Sequence, residues 1–167
     1  TVDAYSYTFA GHPCIAKEWL AQVLFALAYD GAAWNGVAVL TAIAILSMVF
    51  LLCWHLSEAL KPAVAFGSSL VLAFLIDGIF TARPHIFTLP IIVVWTAFLF
   101  RAARADRAPP FWLLALLWLW TNVHATFTLG FVIAAFAGLD FLVRNRLTKP
   151  ALLARWCLFG ALCPVVS

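Results

Sequence analysis

Side chains that could do chemistry are gathered in three short polar stretches of an otherwise apolar chain. Carboxylates such as Asp3 and Glu18 can act as general bases, and the fixed donors of Arg83 suit a phosphate. The other candidates are a lysine, three histidines, an aspartate and an asparagine: Lys17, His12, His85, His124, Asp77 and Asn122. They can form one site only if the fold brings these stretches of chain together.

Several familiar kinds of site are absent from the sequence. It has no H-E-x-x-H or C-x-x-C metal spacing, no Walker loop, no G-x-G-x-x-G and no G-x-S-x-G elbow. The net charge is only +3, and its basic residues are scattered in short loops rather than along a stripe. No nucleic-acid partner is therefore predicted, no cofactor is assigned, and a divalent metal requirement stays open.

The composition predicts that the bilayer is the solvent of this chain. Hydrophobic residues make up 66% of the 167 residues and charged residues 10%, whereas soluble domains are about half apolar and about a quarter charged. Only helices or closed barrels satisfy their backbone inside a bilayer, and the long apolar runs favour helices. We predict an all-α, polytopic membrane helix bundle.

The run from 111 to 143 decides the layout of that bundle. As one helix it would be about 50 Å long, whereas a bilayer core is about 30 Å thick. Its centre reads WTNVHATFT, which includes Asn122 and His124, so we predict a break there. The predicted helical segments are 36–56, 63–80, 86–101, 111–122, 126–143 and 151–167.

With that break, the basic loops fall on one side of the membrane and the polar stretches on the other. Positive loops are typical of the cytoplasmic side, which puts residues 1–35 outside as a periplasmic loop and leaves 36–167 as the membrane domain. Within the loop, Glu18 to Tyr29 is predicted to form a helix lying in the outer interface. The sequence starts at Thr1 and stops within an apolar run, so we expect it to be truncated at both ends.

Each candidate residue also has a simpler explanation. Arg83 could snorkel from a plain turn or pair with Asp77, and Asn122 and His124 could make interhelical hydrogen bonds. In favour of a functional role for Arg83, an outer arginine at the membrane surface suits a lipid-linked phosphate or pyrophosphate. In favour of a functional role for Asn122 and His124, broken membrane helices often mark binding sites.

Three stretches carry a resemblance to a known family: DAYSYTFAGHPCIAKEWLAQ, ARPHIFTLP and LLWLWTNVHATFTLG. They resemble a family of uncharacterised bacterial multi-pass proteins with the pattern D-x-[FY]-S-[FY]-T-x-x-G-x-P-W-x-x-x-E-W-L, then A-R-P-H, then L-W-x-N-x-H-G-G. That family is similar to membrane glycosyltransferases of the C-type fold, which use polyprenyl-phosphate sugars on the outer face of the inner membrane. The resemblance covers nearly the whole chain.

The resemblance implies a sugar transferase with an envelope acceptor and a lipid-linked sugar donor. Asp3 and Glu18 match carboxylates of the first loop, and the main base is expected upstream of Thr1. Arg83 and His85 match A-R-P-H and, with Lys17, are expected to hold the phosphate. Asn122 and His124 match N-x-H. We expect them to line the cavity together with His12 and Asp77. The chain departs from the family pattern at four positions: Cys14, Lys17, Ala125 and Thr126.

Two other functions stay open at this stage. A transporter or lipid flippase would use the helix break as its substrate site, although the sequence has no internal repeat and its polar groups lie on one side. A non-catalytic assembly protein would use small-residue faces, such as Gly130, Ala134 and Gly138, to hold partners. The sugar, the acceptor and the oligomeric state are not predicted.

Overall fold

A computed structural model describes Gly11, Gly78 and residues 18–76, 80–145 and 148–167 of the chain. The sequence predictions that concern Asp3, His12, Lys17 and Asp77 lie outside the described residues. Six α-helices follow one another: α1 Trp19–Ser57, α2 Pro62–Leu75, α3 Thr88–Arg104, α4 Trp112–Val123, α5 Phe127–Asn145 and α6 Pro150–Val166. A 3₁₀ turn, Pro84–Phe87, precedes α3.

The all-α prediction is confirmed for this part of the chain, where every regular element is a helix. Three helices are long and apolar enough to cross a membrane: Trp19–Ser57, Phe127–Asn145 and Pro84–Arg104, the last counted with its 3₁₀ turn. The remaining helices, Pro62–Leu75, Trp112–Val123 and Pro150–Val166, are apolar but shorter. Length and composition therefore identify a membrane protein.

Helix α1 is interrupted after its first third. Ala32 and Ala33 have non-helical backbone angles, and Ala33 has a φ of 50°. Just beyond, a Cβ on Gly36 would lie 1.9 Å from the carbonyl oxygen of Ala28, so only glycine allows the chain to pass this closely. The predicted boundary between residues 35 and 36 thus falls inside α1, a few residues after its interruption.

The predicted break in the long run is confirmed. Helix α4 ends at Val123, His124 is extended with φ −164° and ψ 147°, and α5 begins at Phe127. Elsewhere some bounds differ from the predicted segments. The second segment was predicted to end at residue 80, whereas α2 ends at Leu75.

Tryptophans and a glycine fix the packing of α3, α4 and α5. The buried Trp95 indole of α3 donates to the Gly130 carbonyl at 3.0 Å, and the ring of Trp120 on α4 meets Trp95 edge-on. A Cβ on Gly130 would lie 3.0 Å from the Trp120 ring. The small-residue face of α5 is therefore covered partly by this chain's own aromatic side chains, which differs from a face kept free for partners.

Charge is distributed unequally between the two ends of the bundle. Helix α3 runs for 17 residues from Thr88 to Arg104, which separates its ends by about 25 Å. Near its end lie the described cations Lys61, Arg101, Arg104, Arg107, Arg144, Lys149 and Arg155. Among the described residues, Arg83 is the one lysine or arginine at the other end of the bundle, where α3 begins.

Candidate functional site

A carboxylate and an imidazole meet at the end of the bundle where α3 begins. Glu18 directly precedes α1, and His124 forms the break between α4 and α5. The His124 Nε2 atom lies 3.1 Å from the Glu18 Oε1 atom, and both side chains are about a quarter exposed. The break therefore places an imidazole where the start of α1 can meet it.

The other ring nitrogen of His124 determines which nitrogen carries the proton. The backbone N–H of Thr126 donates to His124 Nδ1 at 3.1 Å, so Nδ1 is an acceptor. The proton of the imidazole therefore lies on Nε2, which donates it to the Glu18 carboxylate. His124 thus orients the Glu18 carboxylate by a hydrogen bond from Nε2–H.

Thr126 connects this pair to the packed core. Its hydroxyl lies 3.1 Å from His124 Nδ1 and accepts the indole N–H of the buried Trp120 at 3.2 Å. Neither Ala125 nor Thr126 has a positive φ. Threonine is therefore accommodated at this position, and it supplies a hydroxyl that glycine lacks.

A second hydrogen bond fastens α1 to the end of α4. The Trp19 indole N–H donates to Asn122 Oδ1 at 2.7 Å. The Asn122 Nδ2 donates to the Trp118 carbonyl at 2.7 Å and to the Thr121 hydroxyl at 3.3 Å. Since these contacts orient both ends of the amide, Asn122 positions the start of α1.

His85 and Arg83 approach the same end from the turn before α3. The rings of His85 and His124 lie edge-on with 6.1 Å between centroids, and the His85 carbonyl accepts the Thr88 hydroxyl at 2.7 Å. Arg83 is exposed in an extended conformation just before the 3₁₀ turn. Within the described part of the chain, its side chain makes no ion pair or hydrogen bond.

The structure thus gathers the described candidates at one end: Glu18, Arg83, His85, Asn122 and His124. Trp19, Trp120 and Thr126 were not among the predicted site residues. Tryptophan in an apolar chain is ordinary core or interface material, and Thr126 was noted only as a departure from the family pattern. The sequence did contain a signal for them, since Trp19 directly follows Glu18 and the other two lie in the polar centre of the long run. In residues 18–76, 80–145 and 148–167 no three His, Cys, Asp or Glu side chains are grouped to hold a metal ion.

A polar cavity of about 340 Å³ opens beside this cluster. It lies between the end of α4, the start of α5 and the end of α6, and Asn122 and Thr121 supply polar atoms to its wall. Because Asn122 is hydrogen-bonded to the residue next to Glu18, this cavity is one place where a polar group could approach the site.

Comparison with known proteins gives no relative for this chain. No protein family, no curated protein and no solved structure matches it.

Proposed function

We propose that this chain is a membrane glycosyltransferase-like protein that moves a sugar from a polyprenyl-phosphate donor to a hydroxyl of an envelope acceptor. The supporting observation is the Glu18 carboxylate oriented by His124 at 3.1 Å. The family resemblance of the E-W-L, A-R-P-H and N-x-H stretches supplies the reaction class. We further propose that this end of the bundle faces the periplasm and that the protein lies in a bacterial inner membrane.

Glu18 is the proposed general base. Its carboxylate takes the proton of the acceptor hydroxyl while that oxygen forms a bond to the anomeric carbon of the sugar. His124 holds the carboxylate through Nε2–H and does not itself take the proton, because its Nδ1 already accepts the Thr126 amide.

Arg83 is the proposed holder of the leaving group. As the bond between the anomeric carbon and the phosphate oxygen breaks, negative charge grows on the phosphate, and a fixed guanidinium offsets that charge. Arg83 suits this role because it is exposed and has no partner in the described chain. The basic end of the bundle provides the positive loops that favour a cytoplasmic location for that end.

The test is sugar transfer by the purified full-length protein. It is supplied with a radiolabelled polyprenyl-phosphate sugar and a membrane-extract acceptor fraction, and labelled product is measured for wild type, Arg83→Ala and Arg155→Ala. Arg155 is an exposed arginine at the opposite end and serves as the matched control. We expect Arg83→Ala to lose at least about a hundredfold in rate and Arg155→Ala to keep the wild-type rate.

Two outcomes would contradict the proposal. Equal rates for Arg83→Ala and wild type would remove the phosphate-holding role. Movement of the labelled donor across liposome membranes without any transfer product would instead identify a transporter.

A further inference from the structure

A second cluster of polar side chains lies between the ends of α1 and α3, far from Glu18. Arg101 of α3 pairs with Glu58, which directly follows α1. The Arg101 guanidinium also lies 5.0 Å from the centroid of the Phe98 ring. His55 joins the group, with its Nδ1 atom 3.7 Å from a Glu58 oxygen. That Nδ1 atom is buried and has no hydrogen-bond partner, so the cluster contains an unsatisfied polar atom.

Two cavities share this cluster as a common wall. The larger, about 420 Å³, is the more polar and is lined by His55, Glu58, Thr96, Phe100, Arg101, Arg104 and Ala105. The smaller, about 140 Å³, is an apolar groove between α1 and α3 formed by Leu51, Trp54, Val93, Val94, Ala97 and Phe98 together with the shared residues. A cavity with charged side chains in its wall thus adjoins an apolar groove, an arrangement that suits an amphipathic molecule such as a lipid.

The charge of this region indicates which kind of lipid fits. Arg101 is neutralised by Glu58, whereas Arg104 is exposed and makes no ion pair in the described residues. The larger cavity therefore carries one uncompensated guanidinium, whose fork of donors matches phosphate oxygens. Further cations surround it at the same end of the bundle, so a net-neutral headgroup would be disfavoured relative to an anionic one.

The apolar groove lies where a hydrocarbon chain would run. Trp54 is 63% exposed on the outer face of α1, and exposed tryptophans near cations are typical of the boundary between headgroups and hydrocarbon. From Trp54 the groove follows Leu51 and Val94, which points it away from the charged end and along the helices. A phosphate at Arg104 therefore places an attached acyl chain on this groove.

We propose that the α1–α3 end groove binds one anionic glycerophospholipid, with its phosphate on Arg104 and one acyl chain beside Trp54. The proposal does not depend on the sugar-transfer proposal, since the two sites lie at opposite ends of α3. Its ligand is a lipid of the surrounding bilayer rather than a substrate.

Native mass spectrometry of the full chain in a neutral detergent tests this site. The probes are phosphatidylglycerol and phosphatidylcholine with identical acyl chains, and inorganic phosphate is used as a competitor. We expect one phosphatidylglycerol per chain, bound about tenfold more tightly than phosphatidylcholine. Arg104→Gln is expected to remove this preference, and Arg155→Gln to retain it.

A second variant covers the case in which Arg104→Gln fails to fold. Ala105→Leu fills the larger cavity without changing charge, and it is expected to weaken phosphatidylglycerol binding about as much as Arg104→Gln. Equal binding of the two lipids, or equal losses in Arg104→Gln and Arg155→Gln, would overturn the proposal. Displacement of the lipid by millimolar inorganic phosphate would assign the site to free phosphate and would also overturn it.

Discussion

The Glu18 carboxylate and the His124 imidazole, 3.1 Å apart, join the start of α1 to the break between α4 and α5. The contact has two consequences that must be measured separately. It presents a carboxylate at the end of the bundle, and it holds the first part of α1 against the other helices. Substitutions that keep one consequence and remove the other are therefore the most informative.

Two amide substitutions can test which ring nitrogen of His124 faces Glu18. A glutamine at position 124 can place its amide N–H near the former Nε2 and keep the bond to Glu18, whereas an asparagine reaches only the region of Nδ1. We expect His124→Asn to be less stable than His124→Gln by about 1 kcal/mol, the net value of one such hydrogen bond. Thermal unfolding in detergent measures the difference, and the reverse order of stability would show that Nδ1 faces the carboxylate.

Gly130 has too little room for a side chain unless its neighbours shift. An added Cβ would lie 3.0 Å from the ring of Trp120, which is fully buried, so the packed ring would have to move by a few tenths of an ångström. We expect Gly130→Ala to lower the free energy of unfolding by about 1–3 kcal/mol, the usual cost of overpacking. Gly67→Ala in α2 is the control, since nothing lies within 4 Å of its Cβ position, and it should be neutral or slightly stabilising. Equal effects of the two substitutions would contradict the packing described for α4 and α5.

We predict that Asp106, at the basic end of the bundle, contributes to the stability of the fold and that acid removes this contribution. Hydrogen bonds from Lys149 and Asn145 lower the pKa of Asp106 below its ordinary value of 3.8. Its contribution is therefore complete above pH 3.8 and is lost as the pH falls through the lowered pKa. Asp106→Asn should be less stable than wild type at pH 7, and the two should converge in strong acid. Asparagine also tolerates the φ of 53° found at this position.

Unfolding measured between pH 7 and pH 2 checks this prediction. Lys149→Gln is the companion variant, because it removes the Lys149 contact at 2.7 Å while leaving the Asp106 carboxylate in place. It should reproduce part of the loss at pH 7. A difference between wild type and Asp106→Asn that stays constant down to pH 2 would contradict the assignment.

The sequence predicts the helical class and the break at His124 because both follow from local properties. Apolar runs of known length define helices, and a run too long for one crossing that is interrupted by Asn122 and His124 must bend. The end of α2 was predicted too late, at residue 80, although Asp77 and Gly78 follow Leu75 closely and are a usual stop signal for a helix. Orientation in the membrane and the division at residue 35 stay predictions.

The partners within the site could not be predicted for a different reason. The sequence places Glu18 and His124 on one face of the membrane, but it does not specify which atoms meet. That choice depends on the kink at Ala33, which sets the direction of the first part of α1, and on Thr126, which sets the tautomer of His124. Both effects are local in the chain, since the kink lies at Ala32 and Ala33 and the Thr126 contact spans two residues, but residue types alone do not specify either geometry.

The most direct test of the central claim is the rate of sugar transfer by Glu18→Gln, which keeps the shape of the side chain and an acceptor for the His124 N–H but removes the base. Purified protein whose unfolding temperature matches wild type is given the polyprenyl-phosphate sugar donor and acceptor. We predict at least about a hundredfold loss of rate, the range expected for a general base. A wild-type rate in Glu18→Gln would show that the Glu18–His124 pair serves the fold and takes no part in catalysis.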